Sequence, residues 1–145
     1  MIYEFQYYLD KNLARKASPD PNEAQSLMNK AEGRLRYSIE VRKVTEQAST
    51  YIFEDIYECL REAGQSLMSL KGYKPYSHEA LISFLIEMHA FKEADLNALD
   101  RYRNLRNKAV YRGEHISSET CKEALEFLRY FLPVLKKEYY KIVKR

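Results

Sequence analysis

The residues best suited to chemistry lie in one short stretch, RNLRNKAVYRG, at positions 103–113. Successive residues of a helix are rotated by about 100°, so one side of a helix through this stretch and the residues just before it collects side chains that carry charge or form hydrogen bonds. This polar side consists of Asp100, Arg103, Asn104, Asn107 and Tyr111. The opposite side, which should enter the core, consists of Ala98, Tyr102, Leu105 and Ala109. The pattern therefore predicts a helix with one packed face and one face rich in hydrogen-bonding groups.

Arg106 falls between these two faces, with Leu99 and Val110 beside it on the helix wheel. Its guanidinium should therefore leave a partly apolar surface, which a partner could cover. Two roles are open for such an arginine. It could close a helix interface by a salt bridge, or its rigid fork could bind a phosphate group. Helical periodicity alone does not choose between them.

The stretch belongs to a longer segment, RYRNLRNKAVYRGEHIS. Before this segment lie two helical patterns joined through LKGYKPYSHEAL, and after it comes a long amphipathic helical pattern. In these features the chain resembles the HEPN family of prokaryotic helical bundles over residues 22–141. The resemblance implies that two subunits form a homodimer with a site for RNA or a nucleotide between them. In active members of the family, that site is a metal-independent endoribonuclease whose arginine is separated from a histidine by four to six residues.

Arg106 and Asn107 match the start of the family motif, but Tyr111 stands where its histidine would fall. Cleavage by an RNA 2′-hydroxyl needs an acid and a base that work near neutral pH. Histidine, with an ordinary pKa of about 6.5, suits this role, and tyrosine, at about 10, does not. Tyr111 could instead donate a hydrogen bond to a phosphate, or carry a proton weakly. We therefore expect ribonuclease activity to be weakened or lost.

The resemblance implies a role for each candidate residue. Arg106 would hold phosphate, Asn107 would orient it or brace the helix end, and together with Tyr111 they are the catalytic candidates. The substrate-binding candidates are Arg103, Arg112 and His115. His115 lies beyond Gly113, where the chain can turn back towards the helix. Its alternative role is that of an exposed histidine in a loop.

The resemblance also implies partners. Proteins of this family often act as toxins, and a small nucleotidyltransferase antitoxin can neutralise them by modifying a tyrosine near the motif. Tyr111 is the nearest such tyrosine, although the family's histidine-x-tyrosine spacing is absent here. A second hypothesis is a non-catalytic dimerisation or interaction module, in which Arg106 closes a structural ion pair. This hypothesis accounts more simply for the missing histidine.

Length and composition indicate one folded domain, residues 1–145. Of these residues, 46% are apolar and 31% are charged, which is typical of a globular protein. The net charge of +3 is small, so charge alone does not mark a nucleic-acid-binding domain. No apolar run approaches the roughly 18 residues that span a bilayer, and the first residues lack the pattern of a signal peptide. We therefore expect a cytoplasmic protein without a membrane partner.

The sequence carries no signal for a metal ion or another cofactor. Cys59 and Cys121 lie in helical patterns without paired spacing, which predicts two buried thiols rather than a zinc site or a disulfide. A glycine-rich phosphate loop, an HExxH motif and a nucleophile elbow are all missing. We therefore expect neither a metal nor an organic cofactor.

Apolar periodicity predicts an all-α fold, an up-down bundle of about five helices preceded by a short N-terminal helix. The N-terminal helix is predicted at residues 2–17, within an extension (residues 1–19) outside the resemblance. The bundle helices are predicted at residues 21–39, 45–70, 78–91, 93–112 and 118–142. No run shows the alternation of a strand, so no strand is predicted.

Local signals mark the ends of several helices. Asp20, with Glu23 three residues later, predicts a capping box, and Ser77 predicts a second N-cap. Gly113 should end the helix at residues 93–112, and Pro133 should kink the last helix. We interpret His78 and His89, both predicted to lie in the helix after Ser77, as structural residues.

Overall fold

Six α-helices and two short strands make up the computed structural model, which describes residues 1–144. The helices are α1 (Phe5–Asp10), α2 (Pro21–Arg34), α3 (Ser49–Lys71), α4 (His78–Glu87), α5 (Glu93–Arg112) and α6 (Ser118–Val143). A π-helical turn, Leu35–Ile39, follows α2, and the strands are β1 (Ala14–Lys16) and β2 (Tyr73–Pro75). The all-α class predicted from the sequence is confirmed. None of the helices within residues 1–144 is long and apolar enough to cross a membrane.

The core is centred on α3, which packs mainly against α2 and α6. Its largest buried side chains include Ile52, Phe53, Ile56, Tyr57, Leu60 and Leu67. The helix begins at Ser49 rather than at the predicted Thr45. Thr45 instead caps a separate turn, because its Oγ1 accepts a hydrogen bond from the Ala48 N–H at 3.1 Å. Helix α3 is thus the central scaffold of the domain.

The N-terminal segment differs from its prediction. Helix α1 ends at Asp10, and Asn12 adopts a left-handed backbone conformation (φ 57°) that turns the chain away. Residues 14–16, which the sequence assigned to helix, pair antiparallel with residues 73–75 as strands β1 and β2. Three-residue strands are too short to produce an alternating pattern, and their pairing depends on contacts distant in sequence. The prediction that the chain contains no strand is therefore wrong.

The start of α2 is capped as predicted, because Asp20 Oδ1 accepts a hydrogen bond from the Glu23 N–H at 3.0 Å. The second half of the capping box is different. The Glu23 carboxylate accepts from the Ser69 hydroxyl at 2.8 Å, and the Asp20 N–H donates to the Ser69 carbonyl at 2.9 Å. These contacts tie the start of α2 to the end of α3. The predicted single helix through residue 39 is divided at Leu35 by the π-helical turn.

The helices that frame the candidate site have mostly predictable ends. Ser77 caps α4, since its Oγ accepts from the Ala80 N–H at 3.1 Å. Helix α4 ends at Glu87, earlier than predicted, and His89 is exposed beyond it with a φ of 54°. The placement of His89 inside this helix is therefore wrong. Helix α5 spans the predicted residues and ends at Gly113 (φ 66°), and α6 continues through Pro133.

Candidate functional site

The inward face of α5 packs against α3 and α4. Tyr102 and Ala109 are buried there, as the helix wheel predicts, and Ala98 and Leu105 are partly buried. The Tyr102 ring meets the Phe53 ring of α3 edge-on, with the ring centroids 5.9 Å apart. These contacts fix the rotation of α5 and hence the direction in which its polar residues project.

Arg103 does not lie on an open polar face. Only 6% of the residue is exposed. Its Nε donates to Asp100 Oδ1 at 2.8 Å, and its Nη1 lies 3.5 Å from Glu79 Oε1 on α4. The wheel missed this contact because a long arginine side chain reaches past the edge of its own face. Arg103 joins α5 to α4, and two carboxylates already neutralise its charge.

Arg106 is the partly buried candidate whose positive charge has no carboxylate partner within residues 1–144. It is partly buried, yet it forms no salt bridge with any residue in the described range 1–144. Its Nη1 donates to Asn107 Oδ1 at 3.3 Å, and its guanidinium carbon lies 5.7 Å from the centre of the Tyr111 ring. The ion pair considered as one of its two roles is therefore absent within this part of the chain.

Arg106, Asn107 and Tyr111 together form a surface that we call the arginine face. Tyr111 is 73% exposed, and Arg112, next to it at the end of α5, is also exposed. The face thus offers a guanidinium, an amide and an aromatic ring within one turn and a half of helix. These groups can hydrogen-bond to an anion and stack on a planar group.

His115 is held away from α5 by its own hydrogen bonds. Its Nε2 lies 2.9 Å from Glu46 Oε2, and its Nδ1 lies 3.3 Å from Thr50 Oγ1. Glu46 also accepts from the backbone N–H of Ser118 at 2.9 Å. Hydrogen bonds from Ser118 and His115 lower the pKa of the Glu46 carboxyl to about 2. His115 therefore joins the loop before α6 to the turn before α3.

His78 was not a candidate from the sequence, but its environment is unusual. It is the first residue of α4, and its Nδ1 lies 3.1 Å from the hydroxyl oxygen of the buried Tyr57. Burial, followed by the positive charges of Arg106 and Arg61, lowers the pKa of His78 to about 4. A neutral histidine therefore stands within the electric field of Arg106. No spacing in the sequence signals this relationship, because it arises only from the packing of α4 on α5.

A cavity of about 810 Å³ lies elsewhere, between α1 and the ends of α4 and α6. Three of its charged groups already have partners. Lys141 pairs with Glu138 at 3.1 Å, and Glu87 accepts from the backbone N–H of Phe5. Size alone does not indicate a ligand. We therefore place the candidate site at the arginine face, where the partly buried Arg106 has no carboxylate partner within residues 1–144.

The chain matches no protein-family model, no curated protein and no solved structure. Within the part of the chain that the structure describes, no three His, Cys, Asp or Glu side chains are grouped so as to hold a metal ion. Cys59 and Cys121 are both buried, as predicted. The candidate site is accordingly defined by the geometry around Arg106.

Proposed function

We propose that this protein is a HEPN-like homodimer that binds RNA or a nucleotide through the arginine face, with a metal-independent endoribonuclease activity that Tyr111 weakens. The observation that carries this proposal is the partly buried guanidinium of Arg106 without a carboxylate partner in residues 1–144. A cation taken partly out of water is costly unless an anion compensates it. A phosphate oxygen pair matches the fork of a guanidinium better than most other anions.

The neighbours of Arg106 favour a nucleic acid over an isolated phosphate. The ring of Tyr111 is exposed next to the guanidinium, and exposed aromatic rings stack with unpaired bases in RNA sites. The amide of Asn107 uses its oxygen for Arg106, which leaves its N–H groups as donors for phosphate. Arg112 and Lys108 are exposed on the same helix and add positive charge along it.

The same face supports the proposed partners. Tyr111 is accessible enough to be modified by a nucleotidyltransferase antitoxin. Val110, 40% exposed beside the arginine face, provides apolar surface that a second subunit can cover. This exposed valine also favours the second candidate function, a non-catalytic dimerisation module. In that case Arg106 would find its carboxylate on the partner subunit.

Incubation with labelled RNA in EDTA tests the proposal. A fluorescently labelled single-stranded RNA is mixed with the wild-type protein and with Arg106→Ala, and binding and cleavage are measured separately. We expect the wild type to bind the RNA and cleave it slowly. Arg106→Ala should bind it at least about tenfold more weakly and should not cleave it. Binding without cleavage would reject the ribonuclease activity and retain the RNA site. Absence of binding would contradict the proposal and favour the dimerisation module.

Molar mass in solution, measured by light scattering, tests the homodimer. The proposal predicts twice the mass of one chain. A strict monomer over the micromolar range would contradict both candidate functions in their dimeric form, because each requires a second subunit to cover the surface around Arg106.

A further inference from the structure

The hydrogen bond between Tyr57 and His78 fixes the state of the imidazole. Tyr57 is buried, and burial raises the pKa of its hydroxyl, which therefore keeps its proton. Within residues 1–144 this hydroxyl has one hydrogen-bond partner, His78 Nδ1 at 3.1 Å. A buried hydroxyl donates its proton wherever an acceptor is present. Tyr57 therefore donates to Nδ1, and the proton of the neutral ring resides on Nε2.

The Nε2–H group is left as a free donor. Within the described residues it makes no hydrogen bond, and His78 lines an open cavity of about 210 Å³. Arg61, Gln65 and Tyr76 line the same cavity. Each of these side chains can donate a hydrogen bond. The cavity is smaller than the roughly 300 Å³ at which sites for drug-sized ligands begin, so it suits a small group rich in acceptor atoms.

The charges around His78 favour an anion in this cavity. The charges that act most strongly on its pKa are three arginines and one carboxylate, namely Arg106, Arg61, Arg103 and Glu58. Glu58 binds Arg61 through both of its oxygens, and Asp100 and Glu79 neutralise Arg103. The charge of Arg106 has no such partner in the described range. An anion near His78 would supply the missing negative charge.

We propose that the cavity beside His78 binds a phosphate group, and that below about pH 6 His78 takes up a proton from solvent as the phosphate binds. Nε2–H donates to a phosphate oxygen, and the positive charge of Arg106 attracts the anion. The added proton goes to Nδ1, which then donates to the Tyr57 hydroxyl oxygen in place of accepting from it. The inference deepens the proposed function, on which it rests for phosphate as the anion. It adds a site on α4 that the arginine face does not include.

Proton uptake follows from the same charges. In the free protein, burial and the arginines oppose a positive charge on His78. A bound phosphate offsets the arginines and stabilises the imidazolium, so its binding must raise the proton affinity of His78. By linkage, protonation of His78 must strengthen phosphate binding to the same extent. Sulfate binding should therefore become tighter as the pH falls from about 6 to about 4, the range in which His78 gains its proton.

Histidine NMR on the full-length protein tests this inference directly. The chain has three histidines, so their ring signals can be followed separately through a pH titration. The probes are inorganic phosphate and sulfate, the latter because it remains a dianion throughout this pH range. We expect saturating sulfate to raise the titration midpoint of His78 by about one pH unit or more, a tenfold change in proton affinity. His89, exposed on the loop after α4, should shift much less.

Two variants separate the site from general electrostatics. His78→Asn keeps an acceptor for Tyr57 and removes the Nε2 donor, so phosphate affinity should fall about tenfold. His89→Asn is the matched control, because asparagine tolerates the left-handed conformation there, and it should bind phosphate as the wild type does. In Arg106→Ala without any anion, the midpoint of His78 should rise, because the largest opposing charge is gone.

The possible results distinguish this inference from the proposed function. If phosphate and sulfate leave the His78 signals unchanged, or if His78→Asn binds phosphate as tightly as the wild type, the inference is wrong. RNA binding that depends on Arg106 would then leave the proposed function intact. Conversely, a response of His78 to phosphate in a protein that binds no RNA would support this site and contradict the proposed function.

Discussion

After burial, which contributes most, the positive charge of Arg106 is the largest cause that lowers the pKa of His78 to about 4. The two residues belong to different helices, α5 and α4, and the hydroxyl of Tyr57 on α3 fixes the imidazole by a hydrogen bond. Three helices therefore hold a neutral histidine beside an arginine that has no carboxylate partner in residues 1–144. This arrangement determines how stability should depend on pH and where an anion should bind.

The lowered pKa of His78 predicts a loss of stability in acid. The ordinary pKa is about 6.5, so the unfolded chain gains a proton at a higher pH than the folded protein does. The contribution of His78 is complete above pH 6.5 and disappears as the pH falls to about 4. Urea unfolding should show that the free energy of unfolding falls between pH 7 and pH 4. We expect this fall to be smaller in His78→Asn than in the wild type, by roughly 3 kcal/mol at most. Equal losses in the two proteins would contradict this account.

Arg103 is expected to matter for stability. Arg103→Ala leaves Asp100 and Glu79 without their shared cation, although both carboxylates still reach solvent. We expect the free energy of unfolding in urea to fall by about 2 kcal/mol, less than for a fully buried pair. The control is Arg101→Ala on the same helix as Arg103, which removes an exposed ion pair with Glu123 of α6. It should lower the free energy of unfolding by less than about 1 kcal/mol. Similar losses in both variants would show that the burial of Arg103 is energetically unimportant.

Local signals explain which helix ends could be predicted from the sequence. Gly113, Ser77 and Asp20 act within three or four residues of their own helix, through a left-handed conformation or a side-chain cap. Such interactions depend on neighbouring residues alone, so spacing reveals them. The strands β1 and β2, in contrast, exist because residues 14–16 meet residues 73–75, and neither segment carries a strand pattern of its own.

The candidate site was only partly predictable for the same reason. The sequence identified Arg106, Asn107 and Tyr111 because they share one helix. It misplaced Arg103, whose partner Glu79 lies on α4, and it treated His78 as structural because its relation to Arg106 requires α4 and α5 to pack. Side chains that reach across helices are invisible to a helix wheel, which describes each helix alone.

Tyr111→His tests whether the missing histidine limits cleavage. The side chain is 73% exposed, so the substitution should change stability by less than about 0.5 kcal/mol. It creates the arginine-to-histidine spacing of the HEPN motif, and a positioned acid or base contributes about a hundredfold or more to such reactions. We expect RNA cleavage in EDTA to rise at least about tenfold, a conservative share of that factor.

Tyr111→Phe is the control for this substitution, because it removes the hydroxyl without adding a group that titrates near neutral pH. Its cleavage rate should not exceed that of the wild type. If Tyr111→His still binds RNA but cleaves no faster than Tyr111→Phe, the ribonuclease part of the proposal is wrong.

The affinity of Arg106→Ala for RNA tests the central claim most directly. Fluorescence anisotropy with a labelled single-stranded RNA at low salt would compare the wild type with Arg106→Ala and with Lys108→Ala, which removes an exposed charge from the same helix. We predict that Arg106→Ala weakens binding about tenfold or more, as expected for a charged hydrogen-bonding group that holds phosphate, and that Lys108→Ala weakens it less than about threefold. Equal weakening by both variants, or unchanged binding by Arg106→Ala, would contradict a phosphate site at Arg106.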